Sequence, residues 1–269
     1  MKRLILVLIL TGVIHAVDTL SYSVRIAGVQ TKRLAIALSL FNLIVLVSRL
    51  ANTIQAPLLG SIVDLAIARE ETAWLAVDFR EIIFAATVGS IIGALLIPSF
   101  VGIFSRGILI FEESGSIPRL FMRCFSRQGY QAVRRNLKPP LEIEKVKKFR
   151  MANLPKTFLI LNVLITSLLT IGVLSSIYAG ALIPNFRLTA GQLSGLVNGT
   201  ATILLAMLVD PRAAVITDQA LRGNRPELDV KVMVVLLVAG KIIGTLLGQL
   251  IFIPAAEGLL FVTKILARH

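Results

Sequence analysis

A chain of 269 residues with 56% hydrophobic residues, a mean hydropathy of +0.84 and a formal net charge of +13 is too apolar for a soluble domain, in which about 45–50% of residues are apolar. The single cysteine, Cys124, excludes an intrachain disulfide or a cysteine metal site, and with only His15 and His269 as histidines, multi-histidine metal chemistry is excluded too. In so apolar a chain the positive charge reads as basic loops facing anionic lipid, not as a nucleic-acid surface.

The apolar residues fall in blocks of roughly 20, the length that crosses ~30 Å of hydrocarbon as a helix. The expected fold is therefore all-α, a polytopic membrane protein of about six spans. The first covers residues 4–24 and carries His15, Asp18, Ser21 and Tyr22 at helical spacing. Lys2 and Arg3 before an apolar run resemble a secretory signal peptide, but helical sequence continues past Ala16, which favours a retained span. The second, residues 34–64, places Arg49, Asn52 and Gln55 three apart, on one helix face, followed by Pro57 and Gly60, which would loosen the helix. The third, residues 82–105, contains Gly89 and Gly93, a close-packing pair.

A polar stretch over residues 106–156 follows. Within it, arginines recur every four residues from Arg119 to Arg127, with Leu120, Phe121, Cys124 and Phe125 beside them. This reads as an amphipathic helix on an anionic membrane surface, or as a device for gathering a diphosphate lipid. The fourth span covers residues 157–183. The fifth, residues 193–215, carries Asn198, Thr200 and Thr202. The sixth, residues 232–260, carries Lys241, Gln249 and Glu257.

Of the 28 Lys and Arg residues, twelve lie between Arg106 and Lys156, and seven more lie in the connections between spans one and two and between spans five and six. The positive-inside rule then puts those connections in the cytoplasm and both termini outside.

The two halves echo each other. Gly89-Ser-Ile-Ile-Gly93 matches Gly240-Lys-Ile-Ile-Gly244. Tyr22 precedes Asn42 by the same interval as Tyr178 precedes Asn198, and Pro57 precedes Asp64 as Pro211 precedes Asp218. Three spans per half is an odd number, so the second copy enters the membrane from the opposite side. The expected organisation is a first three-helix repeat over 1–105, a basic cytoplasmic loop over 106–156, and a second, inverted repeat over 157–269.

A central arginine costs about 2.5–3.5 kcal/mol on insertion scales, so Arg49 should face protein or water. With Lys241 it could line a hydrophilic cavity suited to phosphate or diphosphate, with Asn52, Gln55 and Asn198 offering hydrogen bonds. Asp18, His15 and Glu257 could balance the cations or relay protons. The alternatives stand beside these readings: an interhelical pair such as Asp18 with Arg49, a Lys241 that snorkels, a structural His15, or a Glu257 at the interface. No phosphate loop and no Gly-x-Ser-x-Gly elbow occurs, and the acid pairs Glu70-Glu71 and Glu112-Glu113 lack the histidines of an intramembrane protease. A transporter without a cofactor is expected rather than an enzyme.

The runs Ile14-His15-Ala16, Thr19-Leu-Ser-Tyr22, Arg25-x-Ala27-Gly28-Val29-x-Thr31, Ser39-Leu-Phe-Asn42, Ser48-Arg49-x-Ala51-Asn52 and Gln55-Ala-Pro-Leu-Leu-Gly60 resemble the Amj family of alternate lipid II flippases over essentially the whole chain. The resemblance implies translocation of lipid II, the undecaprenyl-diphosphate-linked peptidoglycan precursor, across the bacterial cytoplasmic membrane. It supplies no mechanistic residues. Six spans enclose little volume for so large a headgroup, which leaves room for a homodimer. Transport of another polyprenyl-linked sugar or of a small anion, or a scaffold for wall synthesis, remain the alternatives.

Overall fold

The computed structural model describes residues 2–116 and 154–267, with Pro118, Arg119, Met122, Ser126, Gln131 and Arg134 between them. Six helical stretches are long and apolar enough to cross a membrane: Lys2–Thr31, Leu34–Ala68, Thr72–Ser114, Lys156–Leu182, Pro184–Leu221 and Glu227–Leu266. Most of the amphipathic helix expected over residues 117–127, Cys124 included, lies outside the described residues, as does His269.

The first stretch is two helices, α1 (Lys2–Ser21) and α2 (Ser23–Thr31). Ser21 and Ser23 flank the break. Their hydroxyls donate to the Asp18 and Leu20 carbonyls at 2.7 and 2.6 Å, competing with the helical ladder. Helix α3 (Leu34–Ala68) runs unbroken through Pro57 and Gly60.

Helix α4 (Leu75–Ser114) has 40 residues, about 60 Å at 1.5 Å per residue, so it outruns the hydrocarbon. It begins before and ends after the expected third span, and residues 106–114, assigned above to the basic loop, are its last turns. The charges Asp78, Arg80 and Glu81 mask the early part in a hydropathy average, yet Leu75 and Phe79 are buried there; at the far end Ile108 is fully buried. Gly115, at φ 58°, ends the helix and donates its N–H to Phe111 at 2.8 Å.

The second half begins with α5 (Lys156–Leu182). The fifth stretch comprises α6 (Arg187–Leu204), a π-helical turn at Leu205–Val209, and α7 (Asp210–Leu221). Pro211 explains the turn: its ring has no N–H and would press on the carbonyl four residues earlier, that of Met207, and the wider π turn relieves that clash. Helix α8 (Glu227–Leu266) completes the chain.

Between helices in lipid, packing of small residues replaces the hydrophobic drive. A Cβ on Gly89 would sit 2.1 Å from the Gly12 carbonyl oxygen, and one on Gly93 would sit 2.7 Å from that of Ala16, so α4 seats directly on α1. A Cβ on Gly244 would meet the Val163 carbonyl oxygen at 2.7 Å, so α8 seats on α5 in the same manner. Thr87 of α4 donates to Thr245 of α8 at 3.0 Å and joins the two pairs.

Of three buried apolar clusters among the described residues, one, with Val24, Ala37, Leu40, Phe41 and Ile108, joins α2, α3 and the end of α4, and the other two lie toward opposite ends of the helices. One of these two gathers Leu20, Ile97, Phe158, Val209, Ile216 and Met233. The other gathers Val7, Leu59, Phe79, Leu174 and Phe252, with the Phe79 and Phe252 rings edge to face at 6.1 Å. His15, Asp18, Arg49, Asn52, Asn198 and Lys241 lie between these two clusters.

Candidate functional site

Every span except the third contributes to a cavity of about 310 Å³ between the two apolar clusters. His15, Asp18, Ser21 and Tyr22 come from the first span, and Phe41, Ser48, Arg49, Asn52 and Thr53 from α3. Helix α5 gives Thr166 and Thr170, the fifth stretch gives Asn198, Thr202 and Asp210, and α8 gives Lys241. Several of these hydroxyls are held by their own helices. Ser21 donates to the Asp18 carbonyl at 2.7 Å, Thr53 to that of Arg49 at 3.1 Å, and Thr170 to that of Thr166 at 2.8 Å. Each keeps its oxygen lone pairs free to accept, while its proton is satisfied in a region with little water.

Of the sequence candidates, Arg49, Asn52, Asn198, Lys241, Asp18 and His15 meet around this one cavity. Their charges are not equivalent. Lys241 is 2% exposed and donates to the Asp18 carboxylate, so the pair that forms is Asp18 with Lys241, not Asp18 with Arg49. Burial of an ammonium demands such a partner. Arg49 donates through Nη1 to Thr202 Oγ1 and forms no direct ion pair among the described residues, with the Asp18 and Asp210 carboxylates on the same cavity wall within reach of its field. This bond bridges α3 and α6 across the cavity.

Asn198 lies against Gly172 of α5, so closely that a Cβ at Gly172 would fall 2.1 Å from Asn198 Oδ1. Asn198 Oδ1 and His15 Nδ1 are buried and lack hydrogen-bond partners among the described residues.

Gln55 is placed differently. It is 3% exposed, outside the cavity, and its amide donates to Thr11 Oγ1 at 2.5 Å and to the Val7 carbonyl at 3.4 Å, tying α3 to α1. It borders a void of about 20 Å³ that shares His15 and Asn52 with the cavity wall. Glu257 is exposed, late in α8, and does not line the cavity. Pro57 and Gly60 do not line it either.

Two charged residues escaped the sequence reading. Arg25, which hydropathy leaves in a connection, is 2% exposed inside α2 and pairs with Asp210 at 2.9 Å. Its guanidinium lies 4.5 Å from the centre of the Phe41 ring. Asp210 falls in an apolar run just before Pro211, an acid beside a helix breaker, and that juxtaposition was the available signal. A separate, shallow groove of about 690 Å³ runs between α1 and α4. It is lined mainly by apolar residues such as Leu8, Phe84, Val88 and Ile92, with Arg80 and Glu81 at its edge, and shares no residue with the cavity. Among the described residues no cluster of His, Cys, Asp and Glu is placed to hold a metal ion.

The comparisons with known proteins agree with one another. The family model described as "Amj: Alternate to MurJ" matches residues 10–263. A relative from Bacillus subtilis (strain 168), described as "Lipid II flippase Amj", is 43% identical over 252 residues, which cover 93% of this chain and 93% of that protein. No solved structure matches.

Proposed function

The chain belongs to the Amj family, and from that premise we propose that it carries lipid II from the inner to the outer leaflet of the bacterial cytoplasmic membrane. The observation that supports a site for this cargo is Arg49, a cation facing a cavity shared by five spans and lacking a carboxylate of its own among the described residues. A guanidinium in low dielectric favours a diphosphate and can hold it through two parallel hydrogen bonds. In this reading Arg49 pairs with the diphosphate, and Asn52 and Asn198 bond to the adjoining sugar. Lys241 joins in when it exchanges Asp18 for the cargo. Gln55 supports α3 from behind, without touching the cargo.

A cavity of about 310 Å³ lies at the small end of ligand pockets, which run to about 1,000 Å³. It takes a diphosphate and part of a sugar, not a whole sugar-peptide headgroup. Transport on this reading needs the bundle to open while the prenyl tail stays in lipid. The matching glycine seats of α4 on α1 and of α8 on α5 support two related halves that rock about the cavity. The basic segment that follows α4 faces the cytoplasm and anionic headgroups, and a second copy of the chain would widen the enclosed space. The process is transport, with no covalent step.

The test is a cell depleted of its main flippase, with lipid II accessibility measured at the outer leaflet. The protein should restore accessibility, and Arg49→Ala should lose it at normal protein level. Full restoration by the variant would remove Arg49 from the mechanism. Because the polar groups recognise a diphosphate and a sugar rather than a peptide, another polyprenyl diphosphate sugar is the second reading. Offering both lipids in reconstituted vesicles separates the two.

A further inference from the structure

Arg25 is a costly residue to bury as it stands. It is 2% exposed, among the largest side chains fully withdrawn from the surface, yet among the described residues its one hydrogen-bond partner is Asp210 Oδ1, bonded to Nη2 at 2.9 Å. Nε and Nη1 are buried and have no hydrogen-bond partner among the described residues. Unsatisfied donors on a buried charge are expensive, and more so in a membrane protein where water is scarce. The groups that enclose the guanidinium face the cavity: Phe41 lies against it at 4.5 Å, Tyr22 neighbours Phe41 with ring centres 6.4 Å apart, and Asp210 lines the wall with its side chain 37% exposed. Arg25 therefore stands one side chain behind the wall, held by a carboxylate that the cavity can reach.

We propose that Arg25 is a second binding group for the diphosphate, with Asp210 as a resident carboxylate that the diphosphate displaces. The proposal rests on the transport reading above and deepens it. Nε and Nη1 each form a two-donor fork with Nη2, so release of Asp210 from Nη2 opens a paired grip that fits two oxygens of a phosphate. Position gives the pair an order. Phe41, over which Arg25 lies, and Arg49 are eight residues apart on α3, a rise of about 12 Å. Arg25 thus stands at the Phe41 level of the cavity and Arg49 about two turns further along α3. Arg25, nearer the basic end of the bundle, receives it first, and Arg49 receives it next. Asp210 adjoins the π turn at Leu205–Val209, so its release bears on the one irregular segment of the fifth span.

The experiment measures binding of undecaprenyl diphosphate, with undecaprenol as the phosphate-free control, to the full chain in lipid nanodiscs. Asp210→Asn removes the competitor and should tighten diphosphate binding about tenfold, without changing undecaprenol binding. The neutral double variant Arg25→Gln/Asp210→Asn should remain folded, because no charge is left unpaired, and should bind the diphosphate about tenfold more weakly than the wild type. If the pair serves structure alone, the double variant binds and flips as the wild type does, and that result overturns the proposal. Unchanged diphosphate affinity in Asp210→Asn refutes the exchange; if the neutral variants do not fold, Arg25→Lys, which keeps the charge pair with Asp210 but removes the guanidinium fork, decides: unchanged diphosphate affinity refutes the second site. A wild-type chain that does not prefer the diphosphate over undecaprenol overturns the transport site itself. A preference abolished by Arg49→Ala but untouched at Arg25 and Asp210 overturns only the second site.

Discussion

Lys241 and Arg49 are both cations inside the membrane, but their surroundings assign them different tasks. Lys241 is spoken for by Asp18, whereas the one direct polar partner of the Arg49 side chain among the described residues is a threonine hydroxyl. Asp18→Asn leaves a buried ammonium without its counter-charge and should cost about 3 kcal/mol, read as a lower unfolding temperature in detergent, with Asp18→Asn/Lys241→Met recovering most of it. The two amides of α3 divide in the same way. Gln55→Ala should lower stability by about 1 kcal/mol through loss of the Thr11 bond while diphosphate affinity holds. Asn52→Ala should reduce cargo affinity at unchanged stability. The reverse outcome for the pair would exchange their roles.

At the scale of the helix, close approach is the principal device. Gly89→Leu and Gly244→Leu each force a side chain into a neighbouring backbone and should destabilise by at least about 1–3 kcal/mol, seen as loss of monodisperse protein. Gly60→Ala, where an added Cβ meets nothing within 4 Å, is the control and should purify as the wild type does. The glycine pairs and their helices were legible in the sequence because a motif at four-residue spacing is local. The irregular points were read less well. Pro57 looked like the break, yet α3 passes through it, and the π turn sits before Pro211 instead. A proline states that the ladder is weakened; whether the helix bends is decided by what packs around it.

For the whole molecule, the single cysteine offers a direct test of orientation. If residues 106–156 are cytoplasmic, Cys124 should resist a membrane-impermeant maleimide in intact cells and react after permeabilisation. Labelling in intact cells would invert the topology and, with it, the side from which cargo reaches Arg25.

The number and order of the spans, the all-helical class and the presence of buried charge followed from sequence alone. Desolvation of backbone and side chains is a property of contiguous composition, and twenty apolar residues have one low-energy solution in lipid. The family followed from local runs of residues as well. Which charges cancel did not follow. Asp18 and Lys241 are 223 positions apart and Arg25 and Asp210 are 185 apart, so only the crossing of α1 with α8, and of α2 with the fifth span, could pair them. Packing of α3 against α1 moved Gln55 out of the cavity, and the meeting of α2 with the fifth span moved Arg25 from an apparent loop to a place just behind the cavity's wall. A charge in low dielectric takes its meaning from the nearest opposite charge, and that distance is set by tertiary packing.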